Sequence, residues 1–282
     1  RRIVRLIVPG ADGGHALSRS QQDLLRQYGI RPVKRRGQNF LLDQAALQKI
    51  TEVAEIPPDG EVLEIGPGLG SLTRYLARVA DRVVAVELDG GLIPVLQDVL
   101  ASFTNVELIH GDILKQDPER LMHSAGYRVV ANIPYYITSA VIRHLLKSPL
   151  RPRSLVLTMQ KEVAERICAQ PGDLSLLALS VQVYGQPKSV LRIPAGAFYP
   201  PPNVDSMVLK LDLFTQPLIP EDQLDVFFRL ARAGFSQKRK TLRNSLSGGL
   251  AWKPERAEKL LQTAGIDPRR RAETLSMDEW KE

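Results

Sequence analysis

The segment Asn132-Ile133-Pro134-Tyr135-Tyr136 carries the sharpest chemistry in the sequence. The lone pair of an exocyclic purine amine is delocalised into the ring, so the nitrogen attacks poorly. Two acceptors placed around that amine hold its hydrogens and favour the tetrahedral nitrogen that forms during attack. The Asn132 side-chain oxygen and the Ile133 carbonyl can be those acceptors. Pro134 stiffens the turn that presents them. Tyr135 offers a flat face for a base, a contact worth about 1–3 kcal/mol in single-strand recognition. Against an electrophile that is already activated no strong general base is required, and catalysis reduces to positioning and preorganised dipoles. Asn and Pro also build plain turns. Chemistry is favoured here because the segment closes a fourth strand behind a glycine loop, and motif plus context is the proper test.

That glycine loop reads Glu64-Ile65-Gly66-Pro67-Gly68-Leu69-Gly70, between a strand and a helix. Glycines let a backbone turn sharply and approach a ligand. A dinucleotide site wants G-x-G-x-x-G, and Ser71 stands where the last glycine would fall. Glu87 ends the second strand, 21 residues after Gly66, where an acid can accept from a ribose diol. Asp112 follows the third strand and can accept from the adenine amine of a cofactor. Each acid alone is more often a solvated loop residue. The three strand-end features together imply an adenosyl-containing cofactor.

The elements that must position these residues are short β-branched runs at Val62–Ile65, Arg82–Glu87, Val106–His110, Arg128–Ala131 and Leu155–Met159. Helical spacings alternate with them: Leu72, Leu76 and Val79; Leu92, Leu96 and Val99; Val141, Leu145 and Leu146. Such alternation predicts βαβ units and a parallel sheet with helices on both faces, with ligands beyond the carboxyl ends of its strands. Ser189–Ile193 and Met207–Leu211 alternate like an antiparallel pair around a proline-rich loop, Phe198–Ser206. Pro217 and Pro220 mark a linker to an all-helical tail. The expected fold is α/β, a Rossmann-like sheet with a small all-helical C-terminal domain. The expected divisions are a disordered basic leader (1–23), a catalytic domain (24–214) and a helical RNA-binding domain (215–282).

These motifs resemble the ribosomal RNA adenine dimethyltransferases, most closely the bacterial small-subunit branch, the KsgA family. The likeness runs from about Leu24 into the C-terminal helices. It rests on Lys34–Leu41, the glycine loop, Val86–Asp89, Gly111-Asp112, Asn132–Tyr136, Gln160–Arg166, the Phe198–Ser206 loop and Phe235–Asn244. The resemblance makes the sheet a Rossmann-like S-adenosylmethionine-dependent methyltransferase sheet and implies S-adenosyl-L-methionine as cofactor, held at Asn39, Leu41, Gly66, Gly68, Glu87, Asp112 and Asn132. It implies a reacting centre of Asn132, Ile133, Pro134 and Tyr135, with Phe198 closing the other face of the target base. It also implies dimethylation of two adjacent adenosines in a hairpin loop near the 3′ end of small-subunit rRNA, within a pre-ribosomal 30S particle. The same fold serves large-subunit rRNA methylases of the antibiotic-resistance type. The stretch Gln160–Arg166 with Pro171-Gly172, and the basic segment Gln237–Arg243, favour the small-subunit enzyme. Tyr136 stands where the family often has Asn, a departure that can alter packing of the pocket.

Composition agrees with an RNA enzyme. The chain has 282 residues, 44% of them hydrophobic, and a net charge of +7. The charge is uneven: residues 1–40 carry +7, residues 229–282 carry +6, and the middle nets −6. Basic ends around a mildly acidic body suit a polyanion. Lys238, Arg239, Lys240 and Arg243 are the expected RNA contacts, through phosphates and without sequence preference. Arg269–Arg271 fits RNA or a solvated helix face equally. One cysteine, Cys168, excludes an internal disulfide and a Cys-based zinc site, and fits packing rather than nucleophilic chemistry. The histidines show no metal spacing, so no metal is expected. No apolar run approaches the roughly 18 residues needed to span a membrane. A cytoplasmic, monomeric enzyme is expected. Two other classes compete: an NAD(P) oxidoreductase, and a ribosome-assembly factor that has lost catalysis. The missing third glycine argues against the first, and the intact Glu87, Asp112, Asn132 and Tyr135 against the second.

Overall fold

The computed structural model describes residues 4–7, 21–32, 38–133 and 137–282. Its strands in chain order are β1 (Val4–Ile7), β2 (Phe40–Leu41), β3 (Glu61–Ile65), β4 (Arg82–Glu87), β5 (Val106–His110), β6 (Arg128–Asn132), β7 (Ser154–Gln160), β8 (Gly185–Ile193), β9 (Phe198–Tyr199) and β10 (Ser206–Leu213). Eight form one sheet, ordered β1-β5-β4-β3-β6-β7-β10-β8, while β2 and β9 pair as a small antiparallel ribbon.

Strands β5, β4, β3, β6 and β7 run parallel, at the places the β-branched runs predict. Both faces of these strands are covered, so nearly every residue of β3, β4 and β7 is buried. The crossover helices Ser71–Leu76, Ile93–Val99 and Thr138–Leu146 bury the expected leucines and valines. One residue departs: the first of these helices ends at Leu76, and Val79 lies beyond it, exposed. The strand order reverses between β3 and β6, the switch point at which open α/β sheets open a ligand crevice. Beyond β7 the sheet leaves the dinucleotide pattern. A dinucleotide sheet continues with another parallel strand, whereas β10 enters antiparallel between β7 and β8.

At the opposite end of the strands Arg82 ties three of them together. Its guanidinium reaches Glu61 at 2.8 Å, Glu107 at 2.6 Å and the Leu121 carbonyl at 3.0 Å. This clamp sets the register of β3, β4 and β5 at their starts and leaves their carboxyl ends to carry the loops.

Val4–Ile7 corrects the expectation of a disordered leader throughout 1–23. It pairs antiparallel with β5, Val4 opposite His110 and Ile7 opposite Glu107. An open sheet edge presents unpaired amides and carbonyls, and a run rich in Val, Leu and Ile satisfies them.

The chain forms two compact units, Arg1–Lys161 with Lys188–Asp212, and Glu162–Pro187 with Leu213–Glu282. The sequence placed 162–187 in the catalytic domain, but these residues group with the helical tail. Backbone bonds hold them there: the Gly172 amide donates to the Glu273 carbonyl at 2.8 Å, and Leu218 to Val183 at 2.8 Å. The second unit has its own small core around Leu242, Leu246, Leu261 and Leu275. The Phe235 and Trp280 rings stack there at 5.6 Å.

Candidate active site

The cleft of the first unit lies at the carboxyl ends of β3, β4, β5 and β6. Gly66, Glu87, Asp112 and Asn132 line it, with Asn39 and Phe198 arriving from the β2–β9 ribbon. Residues from six stretches of sequence therefore converge where the alternation predicts a ligand.

The glycine loop is shaped by backbone conformation. Gly66, Gly68 and Gly70 have φ of 70°, 61° and 76°, a region that strains other residues. Their surroundings differ. A Cβ on Gly68 would stand 3.1 Å from the Phe40 ring, and one on Gly70 3.3 Å from Leu96 and Val99. A Cβ on Gly66 would meet only the Asn132 carbonyl, at 4.0 Å, across open cleft. Two glycines permit packing, then, and one keeps space clear.

Glu87 is 6% exposed, yet both its oxygens are engaged. Oε2 accepts the Gly68 amide at 3.1 Å and Oε1 the Asp89 amide at 2.7 Å. Burial pushes its carboxyl upward, and the amides from Asp89 and Gly68 draw it back. A carboxylate offers about four lone-pair positions, so two remain for hydroxyl donors in the cleft. Asp112 accepts the Leu114 amide at 3.1 Å through one oxygen, and the other faces Lys115 at 3.5 Å. Asn132 donates Nδ2 to the Asn39 carbonyl at 3.2 Å. Ile133 is buried beside it in the cleft wall. Pro134 and Tyr135 lie outside the described residues.

Sequence reasoning assigned Glu64 to the glycine motif and gave it no role. It is 1% exposed and lines the cleft, and its Oε2 has no hydrogen-bond partner among the described residues. Burial pushes its carboxyl up to about 8, the Thr73 hydroxyl opposing and the Glu87 charge adding. An acid one residue from a strand end, preceding the loop, was the available signal.

The ribbon brings Phe198 in. Leu41 pairs with Phe198 and Phe40 with Tyr199. Phe198 is 3% exposed and faces the cleft. Asp205 secures its loop, accepting Arg192 Nε at 2.9 Å and the Ala195 amide at 3.0 Å. Gln38 Nε2 donates to Asp89 at 2.8 Å, so the same segment also grips the loop after β4.

In the second unit the expected RNA contacts separate into two kinds. Lys238, Arg239 and Lys240 are exposed on the turn before the helix Leu242–Leu250, without ion-pair partners among the described residues. Arg243 pairs with Glu258 at 3.1 Å. The other basic run is committed internally: Arg269 binds Asp267, Arg270 binds Glu279 and the Thr274 carbonyl, and Arg271 faces Glu273. No group of His, Cys, Asp and Glu among the described residues could hold a metal ion. No described helix is long and apolar enough to cross a membrane.

Fold and cleft together define a class, the methyltransferases that draw their methyl group from S-adenosylmethionine. The residues present fit such a donor. Gly66 keeps space open, Glu87 has unused lone pairs, and Glu64 lines the cleft with a carboxyl oxygen that has no hydrogen-bond partner among the described residues. Within that class the chain belongs to the ribosomal RNA adenine dimethylase family, whose model matches residues 32–282. It is 48% identical over 268 residues to ribosomal RNA small subunit methyltransferase A of Dehalococcoides mccartyi (strain CBDB1), across 94% of this chain and 92% of that protein. The protein of the same name from Moorella thermoacetica is 47% identical over 270 residues, covering 91% and 93%. Among solved structures, a dimethyladenosine transferase from Plasmodium falciparum is similar with a TM-score of 0.72 at 26% identity, covering 86% of this chain and 94% of that one. The 23S rRNA methyltransferase ErmE is similar with a TM-score of 0.70 at 28% identity, covering 86% and 96%.

Proposed function

We propose that the chain dimethylates the N6 amine of two adjacent adenosines in small-subunit ribosomal RNA, acting as a single cytoplasmic chain on a pre-ribosomal 30S particle. The observation that carries the mechanism is the Asn132 amide. With Nδ2 given to the Asn39 carbonyl, its Oδ1 is the atom left to accept a hydrogen from a substrate amine. The Ile133 carbonyl, one residue on, supplies a second acceptor. Together they draw on both N6 hydrogens, localise the nitrogen lone pair and aim it. S-adenosylmethionine, when bound, supplies a methyl group on a sulfonium, an electrophile that is already activated. After one methyl has been added a single N–H remains, and one acceptor suffices to orient the amine again. The N-methylated nitrogen is acidic, because losing its proton restores conjugation with the ring, so water can take that proton. Asn39, Leu41, Gly66, Gly68, Glu87 and Asp112 hold the donor: Glu87 through its free lone pairs, Gly66 by leaving room. Tyr135 and Phe198 bracket the target base, and Lys238, Arg239, Lys240 and Arg243 contact phosphates.

A small-subunit target is supported by the name shared by the relatives at 47% and 48% identity. The similar large-subunit methyltransferase ErmE is 28% identical. The test offers undermethylated small and large ribosomal subunits together with a labelled methyl donor. Label confined to N6-dimethyladenosine in small-subunit RNA supports the reading. Label in large-subunit RNA, or none in either, contradicts it.

A further inference from the structure

A second cavity opens beside the β2–β9 ribbon. It is open to solvent and holds about 510 Å³. Side chains alternate along a strand, and β9 uses that alternation between two sites. Phe198 lines the reacting cleft, while Tyr199, 38% exposed, lines this second cavity. Neighbouring Cα atoms are about 3.8 Å apart, so the two sites are carried by adjacent positions of one strand.

The opposite wall is the end of the helix Gln21–Gln27 and the turn that stops it. The Gly29 amide donates to the Arg26 carbonyl at 3.2 Å and the Ile30 amide to the Leu25 carbonyl at 2.8 Å. These bonds form a Schellman turn, with Gly29 in its left-handed position at φ 61°. No atom lies within 4 Å of where a Gly29 Cβ would point. Leu24 and Leu25 are buried and anchor the turn. Arg26 and Arg31, on either side of it, both line the cavity and are exposed. Neither has an ion pair or side-chain hydrogen bond among the described residues. Among the described residues they share this with Arg239, whereas Arg82 and Arg270 each bind a carboxylate.

We propose that this cavity is a subsite for the nucleotide next to the target adenine, its base stacked on Tyr199 and its phosphate held between Arg26 and Arg31. The inference rests on the RNA reading of the reacting cleft. An aromatic platform beside unpaired cations is the pairing that holds single-stranded RNA, since every base has a π-face and every nucleotide a phosphate. A base turned out of its stack into the cleft is covalently tied to its neighbour. Strand β9 supplies Phe198 to the cleft and Tyr199 to the cavity, so the two bases are splayed across it. Holding the neighbour keeps the loop open and positions the amine without touching it, which makes Tyr199 a positioning residue.

The test uses the full chain and stem–loop RNAs with a single loop adenine. 2-Aminopurine, a base whose fluorescence falls on stacking, is placed 5′ of that adenine in one RNA and 3′ of it in another. With the unaltered protein, one of the two is expected to be quenched. Tyr199→Ala should abolish that quench and weaken binding about 5- to 150-fold, the equivalent of a lost stack. Tyr199→Phe should restore both. Independently, the double change Arg26→Gln with Arg31→Gln should lower the slope of log affinity against log salt by about 0.7 for each phosphate contact removed. Quenching unchanged in Tyr199→Ala, or a salt slope unchanged in the arginine variant, overturns the subsite. Stem–loop RNA that fails to bind the unaltered protein also overturns the subsite, which would hold single-stranded RNA directly, whereas the reading of the cleft stands or falls on methyl transfer to undermethylated small subunits.

Discussion

The Asn132 side chain donates Nδ2 to the main-chain carbonyl of Asn39 at 3.2 Å, joining residues 93 apart in sequence. That bond decides which way the amide faces. Rotating it by half a turn would set an oxygen against a carbonyl oxygen and lose the bond. The segment that carries Asn39 is itself fixed, by the Gln38 bond to Asp89 and by the pairing of β2 with β9. Orientation of the Asn132 amide is thus determined by the ribbon rather than by β6 alone.

Glu87→Gln should damage donor binding more than its size suggests. The carboxylate accepts two backbone amides, from Gly68 and Asp89. A Gln side chain must turn its NH2 toward one of them. An unsatisfied buried amide costs about 1–3 kcal/mol, and the loop loses its tether. Calorimetry should show donor affinity reduced about tenfold or more, with a lower melting temperature. Unchanged affinity would remove Glu87 from the site.

The glycine loop offers an internal comparison. Gly66→Ala and Gly70→Ala both place a side chain at positive φ, at a cost of about 1–2 kcal/mol. Only at Gly70 does the new methyl press on packed side chains, those of Leu96 and Val99. Gly70→Ala should therefore lower the melting temperature more. Gly66→Ala should lower donor affinity more, because its methyl points into open cleft. Equal effects on both quantities would contradict this division.

Glu64 gives stability a pH dependence. Its folded-state carboxyl is pushed by burial up to about 8, from an ordinary value of 4.5. The folded chain therefore keeps a proton that the unfolded chain releases. The stability linked to that proton is fully present below 4.5 and is lost as pH rises toward about 8. Glu64→Gln cannot titrate, so the variant should gain on the unaltered protein steadily across that window and level off above it. Melting curves of the two chains from pH 5 to 9 measure the difference, with the other titrating groups common to both. A constant gap would show that Glu64 is charged throughout.

Two basic clusters of the second unit should respond oppositely. Lys238→Glu with Arg239→Glu and Lys240→Glu reverses exposed charges that have no ion pair among the described residues. It should weaken RNA binding and flatten its salt dependence at unchanged melting temperature. Arg270→Ala breaks bonds to Glu279 and the Thr274 carbonyl. Charge-assisted bonds of this kind contribute about 1.5–3 kcal/mol when buried, less at partly exposed sites. It should lower the melting temperature and leave the salt slope alone. The reverse pattern would exchange the two roles.

Much of this was legible in the sequence where one residue type implies one physical state. The five parallel strands follow from β-branched runs, which fit a sheet buried on both faces. Gly66, Glu87, Asp112 and Asn132 were placed by their positions just after strands, and the structure brings all four to one cleft. Less was visible where the determinant is long-range. The two-residue strands β2 and β9 are too short for any periodicity. The Asn132–Asn39 bond and the Arg82 clamp join distant residues, and no local pattern marks them. Residues 162–187 read as a continuation of the sheet domain because their ties to the tail are backbone bonds such as Gly172 to Glu273. Glu64 looked like part of a glycine motif because burial, not spacing, is what sets it apart.

The most direct measurement compares donor affinity and single-turnover methyl transfer in Asn132→Ala. Removing one preorganised polar contact to a reacting group costs about 10²–10³ in rate. Methyl transfer to small-subunit RNA should fall by that factor, while binding of S-adenosylhomocysteine, measured by calorimetry, stays within a few-fold of the unaltered protein. A variant that transfers methyl groups at the original rate, with the donor still bound, would contradict the assignment of Asn132 as the acceptor that holds the amine.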